Sequence, residues 1–239
     1  MTAILHALRW DVVVQARNGF YWASLFLIIV ISALLLSVPE SARTNSALWV
    51  PAILVINLQI TTFFFVAGLM LLERDEGMLN AFAVSPLSPS GYLAMRTLSL
   101  TGLAAAETIA LVWIGFGPGG SWSLILGGTA AMGVIYTGFG AAVATRYDSV
   151  NALLLPASAF VALLLLPLLP HFGLAPRLPL FVHPLEPPMT LIRAGYGVTD
   201  GIDLAFGVLG SLGWSAIAFM WGRNRVRALM HNTRASGGR

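Results

Sequence analysis

Cysteine and lysine are both absent from the 239-residue chain; every one of its 13 basic residues is an arginine. Without a thiol there is no disulfide framework, no thiolate metal site and no cysteine nucleophile. Without lysine there is no Schiff base and no phosphate-binding lysine of a P-loop, so the chain does not hydrolyse ATP by that route. Charge of either sign is scarce. Charged residues make up 10% of the chain, against roughly 25% in an average soluble domain. Neither H-E-x-x-H nor G-x-S-x-G occurs, so neither a zinc protease nor a serine hydrolase is supported.

What fills the chain instead is apolar: 57% of the residues are hydrophobic. So few charges cannot cover the surface of a soluble fold. The composition therefore predicts an all-α integral membrane protein with very little mass outside the bilayer. A helix crosses the hydrocarbon core with about 20 apolar residues. Six runs of that kind occur, at 20–38, 48–72, 92–116, 122–145, 150–169 and 204–222. Six spans put both termini on the same side.

Arginine sets the orientation. With the N-terminus inside, the inner segments hold ten arginines, and the outer segments hold three: Arg43, Arg177 and Arg193. That bias predicts cytoplasmic N- and C-termini. The net charge of +3 reflects this same rule and does not point to nucleic acid. Most of the tryptophans fall near span ends, as an interfacial belt does.

The remaining segments are short. Residues 1–19 read as an interfacial helix with Ile4, Leu8 and Val12 on one stripe and Asp11 and Gln15 beside it. Residues 73–91 form a cytoplasmic loop, 170–203 a proline-rich outer loop, and 223–239 a basic cytoplasmic tail. The whole is one transmembrane domain. His171 and His183, both in the outer loop, form the one histidine pair near enough in sequence to consider for a metal.

The inner loop is distinctive. Glu73, Asp75 and Glu76 place three of the ten acids within four residues, on the basic side of the membrane. Beyond them Met78, Leu79, Phe82 and Ala83 share a helical face, and Ser85-Pro86 and Ser88-Pro89 stop it. The pattern predicts a short helix with an acidic start and a hydrophobic face. A solvated loop would carry the same residues.

The run Glu73-Arg74-Asp75-Glu76-Gly77-Met78-Leu79-Asn80-Ala81-Phe82-Ala83-Val84-Ser85-Pro86-Leu87-Ser88-Pro89 resembles the cytoplasmic loop of type-2 ABC exporter permeases. His183-Pro184-Leu185, followed by Arg193, is similar to the Asn-Pro-Leu and basic positions of that family's outer segment. Met78 stands where a threonine is usual, and Asn80 where an acid is frequent. The short chain is most like drug-export permeases, including those of fluoroquinolone export. The resemblance implies a coupling helix that docks on a separate ATP-binding cassette subunit. Glu73, Arg74, Asp75, Glu76, Gly77, Met78, Leu79 and Phe82 would form it. It implies a second permease subunit, identical or paralogous, and short re-entrant helices in the outer loop. ATP and magnesium would sit in the partner, leaving this chain with no catalytic residue, cofactor or metal of its own. The mostly apolar spans suit a lipophilic drug or lipid as the exported molecule.

Glu107 is the one carboxylate within a span. Such groups line a path or are satisfied by packing partners. Asn57, Gln59 and Thr61 of the second span are the partners within the sequence's reach. A self-contained carrier or channel built on Glu107 is the rival to the exporter. A membrane assembly factor with no transport role is a second.

Overall fold

The computed structural model describes residues 2–77 and 88–236. The described residues are helical throughout apart from turns and short loops. The main helices are α1 (Thr2–Arg17), α2 (Phe20–Ser37), α3 (Ser46–Leu58), α4 (Phe65–Asp75), α5 (Pro89–Phe116), α6 (Trp122–Ala144), α7 (Val150–Leu164), α8 (Glu186–Ala194) and α9 (Gly201–Ser236). A π-helical turn, Gln59–Phe64, joins α3 to α4 without a break. Among the described residues, five helices are long and apolar enough to cross a membrane: α2, the continuous α3–α4 rod, α5, α6 and α9. The protein is a multi-pass membrane protein.

Several features differ from those the sequence predicts, among them the sixth span, whose helix does not end at residue 222 but runs on to Ser236. The second apolar run does not end at residue 72. Its helix continues through Glu73, Arg74 and Asp75, so these charges close a long helix and do not open a short one. The third helix starts at Pro89, because Ser88 caps it by accepting from the Gly91 N–H at 3.0 Å and proline tolerates the first helical position. The fifth run, expected as one helix over 150–169, is a 15-residue helix. It stops at Leu164, ahead of Pro167, and a short helix follows at Leu168–His171. At about 1.5 Å per residue α7 spans roughly 22 Å, less than the ~30 Å hydrocarbon core. Finally, α1 turns a different face inward. Asp11 and Gln15 are buried while Val12 is 41% exposed.

The centre of the bundle is α6. Its small residues let neighbours approach to backbone distance. A Cβ on Gly138 would lie 2.5 Å from the Ala218 carbonyl of α9, and one on Gly140 would lie 2.6 Å from the Phe63 carbonyl. Gly133 is equally tight against Thr101 of α5. The i+4 ladder of Thr129, Gly133, Thr137 and Ala141 is thus used for packing within the chain.

The short α8 is folded into the bundle and does not lie on its surface. Met189, Thr190 and Ile192 are fully buried. Gly128 of α6 makes room, since a Cβ there would lie 2.7 Å from both Ile192 and the Pro188 carbonyl.

Bonds between loops define two ends. At one, α1 meets the end of α4 and the start of α5 through Arg96. At the other, Ser121 N–H donates to the Gly195 carbonyl and His171 bonds the Leu48 carbonyl at 2.7 Å.

Candidate functional site: a buried ionic clamp beside the acidic loop

The largest fully buried side chain is an arginine, Arg96. It lies on α5 with Tyr92 and Ser99, at i, i−4 and i+3, so the three share one helix face. Arg96 Nη1 donates to Asp11 of α1, and Nη2 donates to Glu73 of α4. One guanidinium therefore ties three helices together. Relative exposures are 3% for Asp11, 1% for Glu73 and 1% for Arg96.

Charges so buried are tolerated only when their remaining lone pairs and protons are met. Here most are. Tyr92 Oη donates to Glu73 Oε2 at 2.6 Å. Gln15 Nε2 donates to Asp11 Oδ2 at 2.8 Å, and the Ser99 hydroxyl donates to the same oxygen. The Arg96 guanidinium also sits 5.5 Å from the Tyr92 ring centroid, within range of a cation–π contact. Two carboxylates share one cation, so the neutral donors are needed to hold the second negative charge.

The acidic run divides in two around this clamp. Glu73 is not available to a partner; it belongs to the interior. Arg74 reaches sideways to the turn after α6, bonding the Tyr147 carbonyl at 3.1 Å and Asp148 at 2.5 Å. Asp75, Glu76 and Gly77 are exposed. Gly77 has φ 70°, in the left-handed region. It ends the helix there, its N–H donating to the Arg74 carbonyl at 3.1 Å. Met78, Leu79 and Phe82 lie outside the described residues.

Glu107 is fully buried in the middle of α5. Asn57 Nδ2 donates to its Oε2 at 2.6 Å, and Thr61 Oγ1 donates to the same oxygen at 2.7 Å. Gln59 is not among these partners. Thr61 lies in the π-helical turn, and beside it the Thr62 hydroxyl donates back to the Leu58 carbonyl at 2.5 Å. Such back-bonding accompanies bends and bulges in apolar helices.

A second ionic group holds the opposite end. Buried Glu186, at the start of α8, accepts from Arg177 at 2.7 Å and from Arg193 at 2.8 Å. Arg177 also reaches Asp203 at 3.3 Å. His183 is placed by both ring nitrogens. Nδ1 accepts from the Leu185 N–H at 3.2 Å, and Nε2 donates to the Leu163 carbonyl at 3.1 Å. The first of these is the bond that an asparagine side chain makes two residues on in an Asx-turn. His171 and His183 thus bond separate carbonyls. Among the described residues no group of histidines and acids is placed to hold a metal. Burial pulls the pKa of both histidines below the ordinary value.

Asp11, Tyr92, Arg96, Arg177 and Glu186 were not singled out by the sequence as site residues. The signal for the clamp was present in two places. Asp11 and Gln15 lie four apart on one face, and Tyr92, Arg96 and Ser99 make a polar stripe at the start of an apolar helix.

Ionic groups at both ends, an apolar bundle between them and five membrane-length helices define a multi-pass membrane protein. The sequence matches the fluoroquinolones export permease protein family over residues 2–225, and the chain belongs to that family. It is 28% identical over 206 residues to the fluoroquinolones export permease protein of Mycobacterium tuberculosis strain CDC 1551 / Oshkosh, covering 86% of this chain and 84% of the relative. The protein of the same name from strain ATCC 25618 / H37Rv matches to the same extent.

Proposed function

We propose that the chain is the transmembrane subunit of an ATP-driven exporter, working with a separate ATP-binding cassette subunit and a second permease subunit. It moves a lipophilic, drug-like molecule out of the cell, with fluoroquinolones the class to test first. Both termini and the acidic loop face the cytoplasm. The observation that carries this reading is the family match across nearly the whole chain. The clamp gives it a mechanism.

Asp75 and Glu76 are the exposed acids that a soluble partner can meet, and charge complementarity steers such an encounter. They sit within three residues of Glu73, which is bonded to Arg96 on α5 and through it to Asp11 on α1. A push on the loop therefore reaches α4, α5 and α1 as one body. The α3–α4 rod carries that motion past the π-helical turn into the membrane. ATP and magnesium act in the partner, and no chemical step is assigned to this chain.

Glu107 does not favour the carrier reading. It is enclosed by Asn57 and Thr61 and is 0% exposed, which suits a helix-packing knot. The test is co-purification of tagged permease with a candidate ATP-binding cassette subunit, followed by ATPase stimulation with a substrate panel. Retention with stimulation by fluoroquinolones is expected. A permease that transports alone, driven by a proton gradient, would overturn the proposal.

A further inference from the structure

Between α6 and α9, with Leu191 of α8 in its wall, lies a cleft of 440 Å³. Its lining is uncharged and mostly apolar, and includes Gly127, Ala130, Val134, Val208, Ser211 and Leu191. Ligand pockets for drug-sized molecules run from about 300 to 1,000 Å³. On the α6 wall Gly127, Ala130 and Ala131 leave room between the larger Leu124 and Val134.

Three serines line the cleft, Ser123, Ser211 and Ser215, and of these Ser211 is the buried one. Ser211 is 4% exposed, and its hydroxyl has no hydrogen-bond partner. Serines in apolar helices ordinarily bond back to the carbonyl of the preceding turn; this one does not. A buried hydroxyl left unpaired carries a penalty that a ligand acceptor removes.

We infer that this cleft between α6 and α9 is the recognition site for the exported molecule, a flat lipophilic compound whose carbonyl or carboxylate oxygen accepts from Ser211. The inference rests on the export reading above and adds to it the place of recognition. Depth separates this ligand from a lipid. Ser211 lies ten residues into α9, about 15 Å from its first residue at ~1.5 Å per residue. An acyl chain offers no acceptor that far along a span. A planar aromatic ring bearing a carbonyl supplies both the apolar surface and the acceptor.

Norfloxacin, a fluorescent fluoroquinolone, is the probe. Its anisotropy is followed on addition of the full-length permease in lipid nanodiscs. Wild type is expected to bind saturably. Gly127→Phe fills the cleft from a position with open space in front of it and should weaken binding about tenfold or more. Ser211→Ala, nearly isosteric, should weaken it by about two- to tenfold. Leu209→Phe, on the exposed side of the same helix, should leave it unchanged.

Unaltered affinity in both Gly127→Phe and Ser211→Ala overturns the inference while leaving export itself standing. So does a shift from dimer to monomer in Gly127→Phe, which would make the cleft an interface between copies. Loss of a co-purified lipid without loss of norfloxacin binding overturns it in favour of a lipid site. Absence of saturable binding by wild type overturns it too, and ATP-driven uptake into inverted vesicles then decides the export reading separately.

Discussion

Arg96→Ala is the perturbation with the largest predicted consequence. It removes the cation and leaves Asp11 and Glu73 facing each other in an interior where they are 3% and 1% exposed. Breaking a buried ion pair by deleting one partner costs roughly 3–5 kcal/mol. Unfolding in detergent, followed by tryptophan fluorescence, reads the loss. Limited proteolysis reads its location, since α1 should detach and become cleavable at Arg9 and Arg17 before the spans yield. The triple change Asp11→Leu, Glu73→Gln, Arg96→Met should recover most of the stability, because apolar replacement of a buried triad is often neutral or better. It should not recover drug-stimulated ATPase activity if the ionic ties transmit motion. Wild-type unfolding behaviour in Arg96→Ala would refute the clamp, and full ATPase coupling in the triple variant would refute its role.

Other consequences can be checked independently. Glu107→Gln should keep stability and transport, since its amide oxygen still accepts from Asn57 and Thr61, whereas Glu107→Leu should lose about 1–3 kcal/mol in a denaturation series. Gly138→Leu forces side-chain atoms onto the Ala218 carbonyl, 2.5 Å from where a Cβ would stand, and should abolish a folded monodisperse peak in size-exclusion chromatography. For His171 and His183 the pKa is depressed by burial from a model-compound value of 6.5. The folded state therefore favours the neutral rings; stability is full above pH ~6.5 and falls as pH drops below it toward the depressed values. Thermal midpoints taken from pH ~7.5 to ~5 should fall, and His183→Asn should both fold and flatten part of that fall.

Apolar runs and scarce charge made the membrane class legible, because both are properties of composition. The pairing of charges was not. Arg96 reads in sequence as a basic residue near a membrane surface, and only the convergence of α1, α4 and α5 turns it inward onto Asp11 and Glu73. The same convergence explains why α1 buries a polar face: its partner is ionic, so Asp11 and Gln15 turn inward beside Leu8, which packs against the core, while Val12 is exposed. The end of α7 was misplaced because an apolar run carries no mark of where the helix ends; α7 passes Pro156 and stops at Leu164, ahead of Pro167, whose ring and missing N–H disfavour its continuation. Conversely, Glu107 was legible with two of its three suggested partners. Asn57 and Thr61 lie four apart, on one face opposite α5, and Gln59 points elsewhere. At His183 a ring nitrogen accepts from the Leu185 N–H, as an Asx-turn side chain does.

The account stands or falls on energy passing from a separate ATPase through the acidic loop. The direct measurement is ATP-dependent norfloxacin uptake into inverted membrane vesicles containing the permease and the proposed ATP-binding cassette subunit, with and without Asp75→Arg plus Glu76→Arg. These two residues are exposed, unlike Glu73, so the permease should remain folded and membrane-inserted. The account predicts uptake that needs ATP and collapses in the double reversal, with the ATPase subunit lost from the purified complex. Uptake that proceeds without ATP, or that is unchanged in the reversed loop with the ATPase still bound, would contradict it.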